Sequence, residues 1–183
     1  AIVTDTNIYK LYRRYLANKN VLVIKINPGE KSKSNKTKMH IEELLFKYHF
    51  NRKSLLVAIG GGVVGDLAAF VASTYMRGID LIHVPTSLIA IVDSSIGGKT
   101  GINNKLGKNL VGTFYNPREI IINKKFLKTL PQKEVTQGLA EIIKYGIISN
   151  KSLFLLLEKG NKDFLKNPEK VVNSIIKRCI MIK

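Results

Sequence analysis

The stretch that decides the fold is Ser54–Asp66, which reads SLLVAIGGGVVGD. Its apolar half, SLLVAI, is typical of a buried strand, and the glycines that follow are spaced as G-x-G-x-x-G. A helix is predicted directly after them, at Asp66–Met76. Glycines between a strand and a helix let backbone N–H groups approach a pyrophosphate, and the helix dipole favours the anion. The stretch therefore predicts the dinucleotide-binding turn of an α/β fold, against the alternative of a plain strand-to-helix turn.

Two neighbouring features refine this prediction. An acid that binds the ribose usually follows such a turn by about 20 residues, but Asp80 lies too early and Asp93 too late. We therefore expect a variant mode of dinucleotide binding. Further on, Gly97–Thr100 (GGKT) resembles the end of a phosphate-binding P-loop. Because Asp93 stands where that motif needs its first glycine, a P-loop nucleotidase is excluded.

Strands and helices alternate outward from this stretch. Further strands are predicted at Val21–Ile26, Ile79–Val84 and Glu119–Ile122, Ala1–Val3 looks like the end of another, and Thr37–Phe50 is predicted to be an amphipathic helix. Such alternation is typical of a parallel sheet covered by helices. We therefore expect a Rossmann-like, parallel-sheet α/β domain that binds a dinucleotide over residues 1–130.

After Pro131 the character of the sequence changes, because nothing there reads as a strand. Helices are predicted at Glu134–Ile148, Leu153–Lys159 and Pro168–Ile182. Gly160 is expected to end the second helix and Asn167 to cap the third. We therefore expect residues 131–183 to be the first helices of an all-helical domain. The last helix has an apolar stripe that needs a surface to cover, so we expect the chain to be cut at both ends.

Composition limits the classes of partner. The chain has 183 residues and a formal net charge of +17, which would suit a protein that binds nucleic acid or a membrane. Its lysines, however, are spread along the sequence, arginines are few, and no lysine-rich run is interleaved with aromatic residues. The sequence shows no signal peptide and no apolar run long enough to span a bilayer. It has one cysteine, Cys179, so it cannot form an internal disulfide. We expect a cytoplasmic protein, with a plastid location left open, and neither a nucleic-acid nor a membrane partner.

A second segment, Asp93–Gly112, reads DSSIGGKTGINNKLGKNLVG and combines one acid, three lysines and several glycines. Lysines suit a phosphate or a carboxylate, and glycines let the backbone come close to a ligand. The acid can pair with a lysine or handle a proton. The segment therefore predicts the floor of a site for a small, polyhydroxylated anion.

Glu141 and Lys144 lie three residues apart on one predicted helix, so they share a face. A surface ion pair is the alternative, but their apolar neighbours favour a partly buried pair at a cleft, where the carboxylate could bind a metal. The histidines lack the spacing of metal ligands and are expected at the surface or in the core: His40, His49 and His83.

Six blocks of sequence, in this order, resemble the 3-dehydroquinate synthase family: GGGVVGD, STYMRG, HVPTSLIAIVDSSIGGKTGIN, LGKNLVGTFYNP, FLKTLP and GLAEIIKYGII. The resemblance runs from Thr4 to Lys177. It implies a lyase of the shikimate pathway, which leads to chorismate and the aromatic amino acids. The implied reaction converts 3-deoxy-D-arabino-heptulosonate 7-phosphate to 3-dehydroquinate and phosphate, through transient oxidation by NAD, phosphate elimination and aldol cyclisation. A divalent metal, zinc or else cobalt, and a homodimer are also implied.

The resemblance implies roles for individual residues. Those implied to hold NAD are Asp5, Asn7, Glu30, Lys33, Gly61, Gly62, Val63, Asp66, Thr86, Ser87, Lys108, Thr129, Leu130 and Glu134. Those implied to meet the substrate, a phosphorylated sugar acid, are Asp93, Lys99, Lys108, Asn109 and Lys144. Arg77 is implied to reach the substrate phosphate of the partner subunit, and Glu141 to be a metal ligand.

The chain also departs from the family pattern. Ser87, Asn123 and Lys133 replace the more usual threonine, aspartate and arginine, and all three changes look tolerable. The family's two histidine metal ligands belong to a later segment, so we expect the full-length parent to be the enzyme and this chain alone to be inactive. Three alternatives stay open: a sister sugar-phosphate cyclase, a metal-dependent polyol dehydrogenase of similar architecture, and a non-catalytic remnant. Asn109 after Lys108 favours the synthase over its sister cyclases.

Overall fold

The computed structural model describes the backbone of residues 1–166 and 168–183, and the side chains of residues 1–158 and 173–183. Its strands are β1 (Ile2–Asp5), β2 (Val23–Ile26), β3 (Leu55–Gly60), β4 (Asp80–Pro85), β5 (Ile102–Asn104), β6 (Gly107–Val111) and β7 (Glu119–Ile120). Five of them form a parallel sheet with the order β2-β1-β3-β4-β7, and β5 and β6 form an antiparallel hairpin. The parallel sheet with its helices confirms the predicted α/β class.

The helices are α1 (Thr6–Leu16), α2 (Asn35–Lys47), α3 (Gly62–Thr74), α4 (Gln132–Ile148), α5 (Lys151–Lys166) and α6 (Pro168–Ile182). After Pro131 the described residues contain helices and no strand, as predicted. The prediction that Gly160 ends a helix was wrong, because α5 continues to Lys166. Asn167, the predicted cap of α6, lies outside the described residues. None of the helices within the described residues combines the length and the apolarity needed to cross a bilayer.

β1 lies inside the sheet, between β2 and β3, and Ile2 is paired with both Val23 and Val57. Val3 and Thr4 are fully buried, as expected for a central strand of a parallel sheet that is covered on both faces. The start of the chain is therefore part of the core.

The sheet and the first helices share one hydrophobic cluster. Ile41 and Leu45 of α2 and Leu67 and Val71 of α3 are buried together with Leu56 of β3. Burial of each such side chain contributes about 1.5–3 kcal/mol. These contacts hold α3 against the sheet and so fix the turn at its N-terminus.

A second hydrophobic cluster joins α4, α5 and α6 to the segment that follows β4. Leu88 and Ile91 of that segment are buried with Ile142 of α4. Gly138 is needed for this packing, because a Cβ atom at that position would lie 2.6 Å from Cβ of Leu88. The helical part is thus packed closely against the segment that carries Asp93.

Two elements were not predicted from the sequence. Helix α1 has one buried residue, Leu16, although Ile8, Leu11, Tyr12, Tyr15 and Leu16 recur at helical spacing. Asp5 starts this helix by accepting hydrogen bonds from the N–H groups of Asn7 and Ile8, at 2.8 and 2.9 Å. The hairpin of β5 and β6 lies within Asp93–Gly112, which the sequence presents as a polar, glycine-rich ligand floor.

Candidate active site

The glycine-rich turn lies where the sequence predicts it. β3 ends at Gly60 and α3 begins at Gly62, with Gly61 as the N-cap residue. Among the side chains that the structure describes, none caps the N-terminus of α3, in contrast to α1, which Asp5 caps. The first N–H groups of α3 are therefore available to an anion.

Two glycines of the turn lie close to serine hydroxyls. A Cβ atom on Gly61 would lie 3.3 Å from Oγ of Ser87, and one on Gly62 would lie 3.1 Å from Oγ of Ser94. Glycine at both positions therefore lets the turn and the serines share one wall of a cleft without displacing the hydroxyls.

A cleft of about 1170 Å³ opens over this turn. It follows the carboxyl ends of the parallel strands, where ligands of open α/β sheets bind, since Asp5, Ile26, Gly61 and Thr86 all line it. Every residue implied to hold NAD lines this cleft: Asp5, Asn7, Glu30, Lys33, Gly61, Gly62, Val63, Asp66, Thr86, Ser87, Lys108, Thr129, Leu130 and Glu134. The structure thus brings the set together, and its contact with NAD stays a prediction.

Lys33 is the central charge of the cleft, although only 4% of its surface is exposed. Its Nζ donates hydrogen bonds to the carboxylate of Asp66 and to Oδ1 of Asn109. Burial raises the pKa of Asp66, and the ion pair with Lys33 opposes this rise without cancelling it. One ammonium group therefore ties the turn after β2 to α3 and to the hairpin.

Asn103 of β5 reinforces the same junction. Its Nδ2 donates a hydrogen bond of 2.6 Å to Glu30, and its Oδ1 accepts one of 2.9 Å from the N–H of Asn109. Its own N–H donates to the carbonyl oxygen of Lys33 at 2.8 Å. Asn109 has a φ of +57°, in the left-handed region, so these bonds hold a backbone conformation that few residues adopt readily. Sequence reasoning did not identify Asn103.

Helix α1 also lines the larger cleft, and it contacts two other residues of that cleft. The hydroxyl groups of Tyr12 and Thr129 lie 2.6 Å apart, and the rings of Tyr12 and Phe126 meet edge to face at 4.9 Å. Phe126 and Thr129 both line the cleft, so α1 helps to set its width.

A smaller cleft of about 470 Å³ adjoins the first, and Asp66, Ser94 and Asn109 line both. Asp93 and Lys99, two of the predicted substrate residues, also line it. Lys108 lines the larger cleft, whereas Lys144 lines neither. The predicted ligand floor is thus divided between two connected spaces.

Asp93 receives two hydrogen bonds on the same oxygen. Oδ1 accepts from the hydroxyl of Tyr145 on α4, and from Nζ of Lys183 at 2.8 Å. Burial works to raise the pKa of Asp93, but these bonds and the lysine charges outweigh it and hold the pKa below its usual range. Sequence reasoning identified neither Tyr145 nor Lys183, because both are far from Asp93 along the chain. Tyr145 lies among apolar positions of α4, and Lys183 follows the last residue of α6.

Glu141 and Lys144 form the predicted ion pair, but the predicted position at a cleft was wrong, because neither residue lines either cleft and the Lys144 side chain is 48% exposed. Lys144 also lies over the ring of Tyr145, with Nζ 5.2 Å from the centroid. Within the part of the chain that the structure describes, no three His, Cys, Asp or Glu side chains cluster as metal ligands would. The described residues therefore do not form a metal site by themselves, and Glu141 stays a candidate for one ligand.

Two more predicted residues lie away from both clefts. Arg77 is exposed in a turn where Met76 and Gly78 also have positive φ values, of +50° and +120°. His83 is buried on β4, in the core rather than at the surface, which were the two environments predicted for it. Its imidazole lies behind the glycine turn, because a Cβ atom on Gly65 would be 3.4 Å from it.

Comparison with known families accounts for an α/β part with two clefts that is followed by a helical part. The model of the 3-dehydroquinate synthase N-terminal domain matches residues 23–137, and that of the C-terminal domain matches residues 138–183. The chain belongs to the 3-dehydroquinate synthase family. A 3-dehydroquinate synthase of Dictyoglomus thermophilum is 50% identical over 182 residues, which make up 100% of this chain and 51% of that protein. The chain spans about half the length of the curated relatives it matches.

Two solved structures of related enzymes share the fold. One is 2-epi-5-epi-valiolone synthase from Streptomyces hygroscopicus with NAD+ and Zn2+ bound, which has a TM-score of 0.91 at 30% identity and matches 99% of this chain and 53% of its own. The other is 2-deoxy-scyllo-inosose synthase complexed with carbaglucose-6-phosphate, NAD+ and Co2+, with a TM-score of 0.84 at 29% identity, matching 100% of this chain and 52% of its own.

Proposed function

We propose that this chain forms the NAD-binding part of a 3-dehydroquinate synthase, which converts 3-deoxy-D-arabino-heptulosonate 7-phosphate to 3-dehydroquinate and phosphate. The observation that carries the proposal is the wall of Asp66, Ser94 and Asn109 between two clefts, in a chain of this family. A hydride carrier in the larger cleft would lie beside an anionic polyol in the smaller one. The reaction needs that proximity, since the hydride must leave and return to the same carbon.

The residues of the larger cleft fit NAD. The uncapped N-terminus of α3 would receive the pyrophosphate, and the glycines at 61 and 62 leave room for it. Glu30 and Asp5 lie at the carboxyl ends of β2 and β1 and would bind the adenosine end. When bound, NAD would accept a hydride from a ring hydroxyl carbon and later return it.

The residues of the smaller cleft suit the substrate. Asp93 is held ionised, so it can accept a hydrogen bond from a substrate hydroxyl group. Among the described residues Nζ of Lys99 makes no hydrogen bond or ion pair, so this exposed ammonium can meet a phosphate or a carboxylate. Asn109 also lines this cleft. Lys108, which lines the larger cleft, and Lys144, which lines neither, complete the proposed substrate set.

We further propose a divalent metal, zinc in the first instance, with Glu141 as one ligand. The carboxylate is an oxygen donor of the right class, and the related structures contain Zn2+ or Co2+. The described residues contribute a single candidate ligand, which is too few to hold the ion by themselves.

The remaining expectations belong to the same proposal. Residues 1–130 form the NAD-binding domain, and residues 131–183 begin the helical domain. The protein acts as a cytoplasmic homodimer in which the exposed Arg77 reaches the partner's substrate phosphate. The 183-residue chain binds NAD but does not turn over substrate alone.

A sister sugar-phosphate cyclase is the second candidate, because the valiolone synthase and the scyllo-inosose synthase above share the fold at TM-scores of 0.91 and 0.84, and the latter was solved with a sugar-phosphate analogue. The two candidates differ in the sugar phosphate that they accept. Asn109 after Lys108 favours the synthase.

The test is phosphate release by the full-length protein with NAD and zinc. We expect phosphate and 3-dehydroquinate from the heptulosonate phosphate, and no phosphate from glucose 6-phosphate; the reverse pattern would favour a sister cyclase.

Lys99→Met should lower kcat/KM about a hundredfold, because it removes the positive charge that would meet the phosphate or carboxylate of the substrate. Lys105→Met is the matched control, because Lys105 is an exposed lysine of the hairpin that lines neither cleft. Equal activity of the two variants would contradict the assignment of Lys99.

A further inference from the structure

Tyr145 has a polar role inside an apolar cluster. Only 4% of its surface is exposed, and its ring is buried with Ile142 and Cys179. Its hydroxyl is nevertheless satisfied, because it donates to Oδ1 of Asp93. Burial, followed by the hydrogen bond to Asp93, raises the pKa of Tyr145 far above its ordinary value, so the phenol acts as a donor throughout the working range of pH.

The second donor to the carboxylate is also directed to Oδ1, since Nζ of Lys183 lies 2.8 Å from the same atom. Among the described residues, Oδ2 of Asp93 accepts no hydrogen bond. Asp93 lines the smaller cleft, so its second oxygen is the one left for a ligand. The π-helical turn Ala90–Ser94 carries Asp93, and Tyr145 links that turn to α4.

We infer that Tyr145 is a positioning residue, which orients the Asp93 carboxylate so that Oδ2 receives a hydroxyl group of the ligand. This inference rests on the proposed function for the identity of the ligand, but the geometry of the pair does not depend on it. Without the phenol, Lys183 alone would hold Oδ1, and the carboxylate could rotate about its Cβ–Cγ bond.

Several other charged or titratable groups face this pair. Lys183 of α6 contacts Asp93, Lys144 of α4 acts on it at longer range, and Asp66 of α3 lies across the smaller cleft. Glu141 and Cys179 act on Tyr145 itself. Removing the Tyr145 hydroxyl leaves all of these in place, so its effect on Asp93 can be measured separately.

The test compares Tyr145→Phe with the wild-type full-length protein in two measurements. The first is the pKa of Asp93, followed by carbon-13 NMR of its carboxyl group, which should move upward when a donor is lost. The second is kcat/KM for the heptulosonate phosphate, which should fall about tenfold, with the acid limb of its pH profile moved to higher pH.

Tyr75→Phe is the matched control, because that buried tyrosine donates to the carbonyl oxygen of Phe50 at 2.8 Å, away from both clefts. It should lower the midpoint of thermal unfolding without moving the pKa of Asp93 or the acid limb.

An unchanged Asp93 pKa in Tyr145→Phe would overturn the inference, and so would a variant that loses stability as Tyr75→Phe does but keeps its pH profile. If the wild type released no phosphate, the proposed function would fail, while the NMR titration would still decide the role of Tyr145. If Tyr145→Phe does not fold, 3-fluorotyrosine at position 145 keeps the donor and strengthens it. The pKa of Asp93 should then move downward, and a value that does not move would equally refute the inference.

Discussion

His83 should make the stability of the protein depend on pH within a defined window. Its imidazole is 6% exposed on β4, and burial lowers its pKa from 6.5 to about 4. In the unfolded chain the same group takes up its proton near pH 6.5. Between these two values the unfolded state binds more protons than the folded state. The contribution of His83 is therefore complete above pH 6.5 and is lost as the pH falls toward 4.

The size of the effect follows from the two pKa values. One pKa unit corresponds to about 1.4 kcal/mol, so the free energy of unfolding should fall by about 2 kcal/mol by pH 5 and about 3 kcal/mol by pH 4 through this group. A typical domain has roughly 5–15 kcal/mol in total, so the loss is readily measured. His83→Leu removes the titrating group, and its stability should fall less steeply with pH.

Urea unfolding of both proteins between pH 4.5 and 7.5 measures the difference. His40→Leu is the matched control, because it removes an exposed histidine of α2 by the same substitution. If the curves of wild type and His83→Leu ran parallel through the window, the reasoning would be refuted, since other groups would then cause the pH dependence.

Two further changes test the packing of α4 and the hydrogen bonds of Asn103, which we call the tether of the hairpin. Gly138→Val brings a Cβ atom within 2.6 Å of Leu88 and should lower the free energy of unfolding by about 1–3 kcal/mol in urea titrations; an unchanged value would mean that α4 can move away from Leu88. Asn103→Ala removes the bonds to Glu30 and Asn109 and should raise the Kd for NAD about tenfold by calorimetry. An unchanged Kd would show that the hairpin stays in place without the tether.

The order of strands and helices could be predicted because each has a strong local signal. SLLVAI followed by glycines gave β3 and the turn before α3, and the helical spacing of apolar residues predicted α4 and α6 with small errors at their ends. Helix α1 was not predicted, although the helical spacing of its apolar and aromatic residues and the capping side chain of Asp5 were signals that could have found it. This helix packs against β1 and β2, and its Tyr12 meets the ring of Phe126.

The residues of the candidate site fall into two groups, those that a local sequence pattern marks and those that no local pattern marks. Residues in glycine-rich or lysine-rich motifs, such as Gly62 and Lys99, stand out along the sequence. Tyr145, Lys183 and Asn103 act only through partners from other elements, so no local pattern marks them. Glu141 and Lys144 are the intermediate case, since their spacing predicted the ion pair but not its distance from the clefts.

Because the two clefts share a wall, we expect a ligand bound in one to change the affinity of the other for its ligand. Asp66 and Asn109 are bound to one ammonium group, that of Lys33, and each faces both spaces. A ligand that draws either side chain toward one cleft changes what the other cleft presents. By reciprocity, the two ligands must then alter each other's affinity by the same factor. A dinucleotide titration repeated at increasing concentrations of a substrate analogue would give that coupling free energy directly, without any turnover.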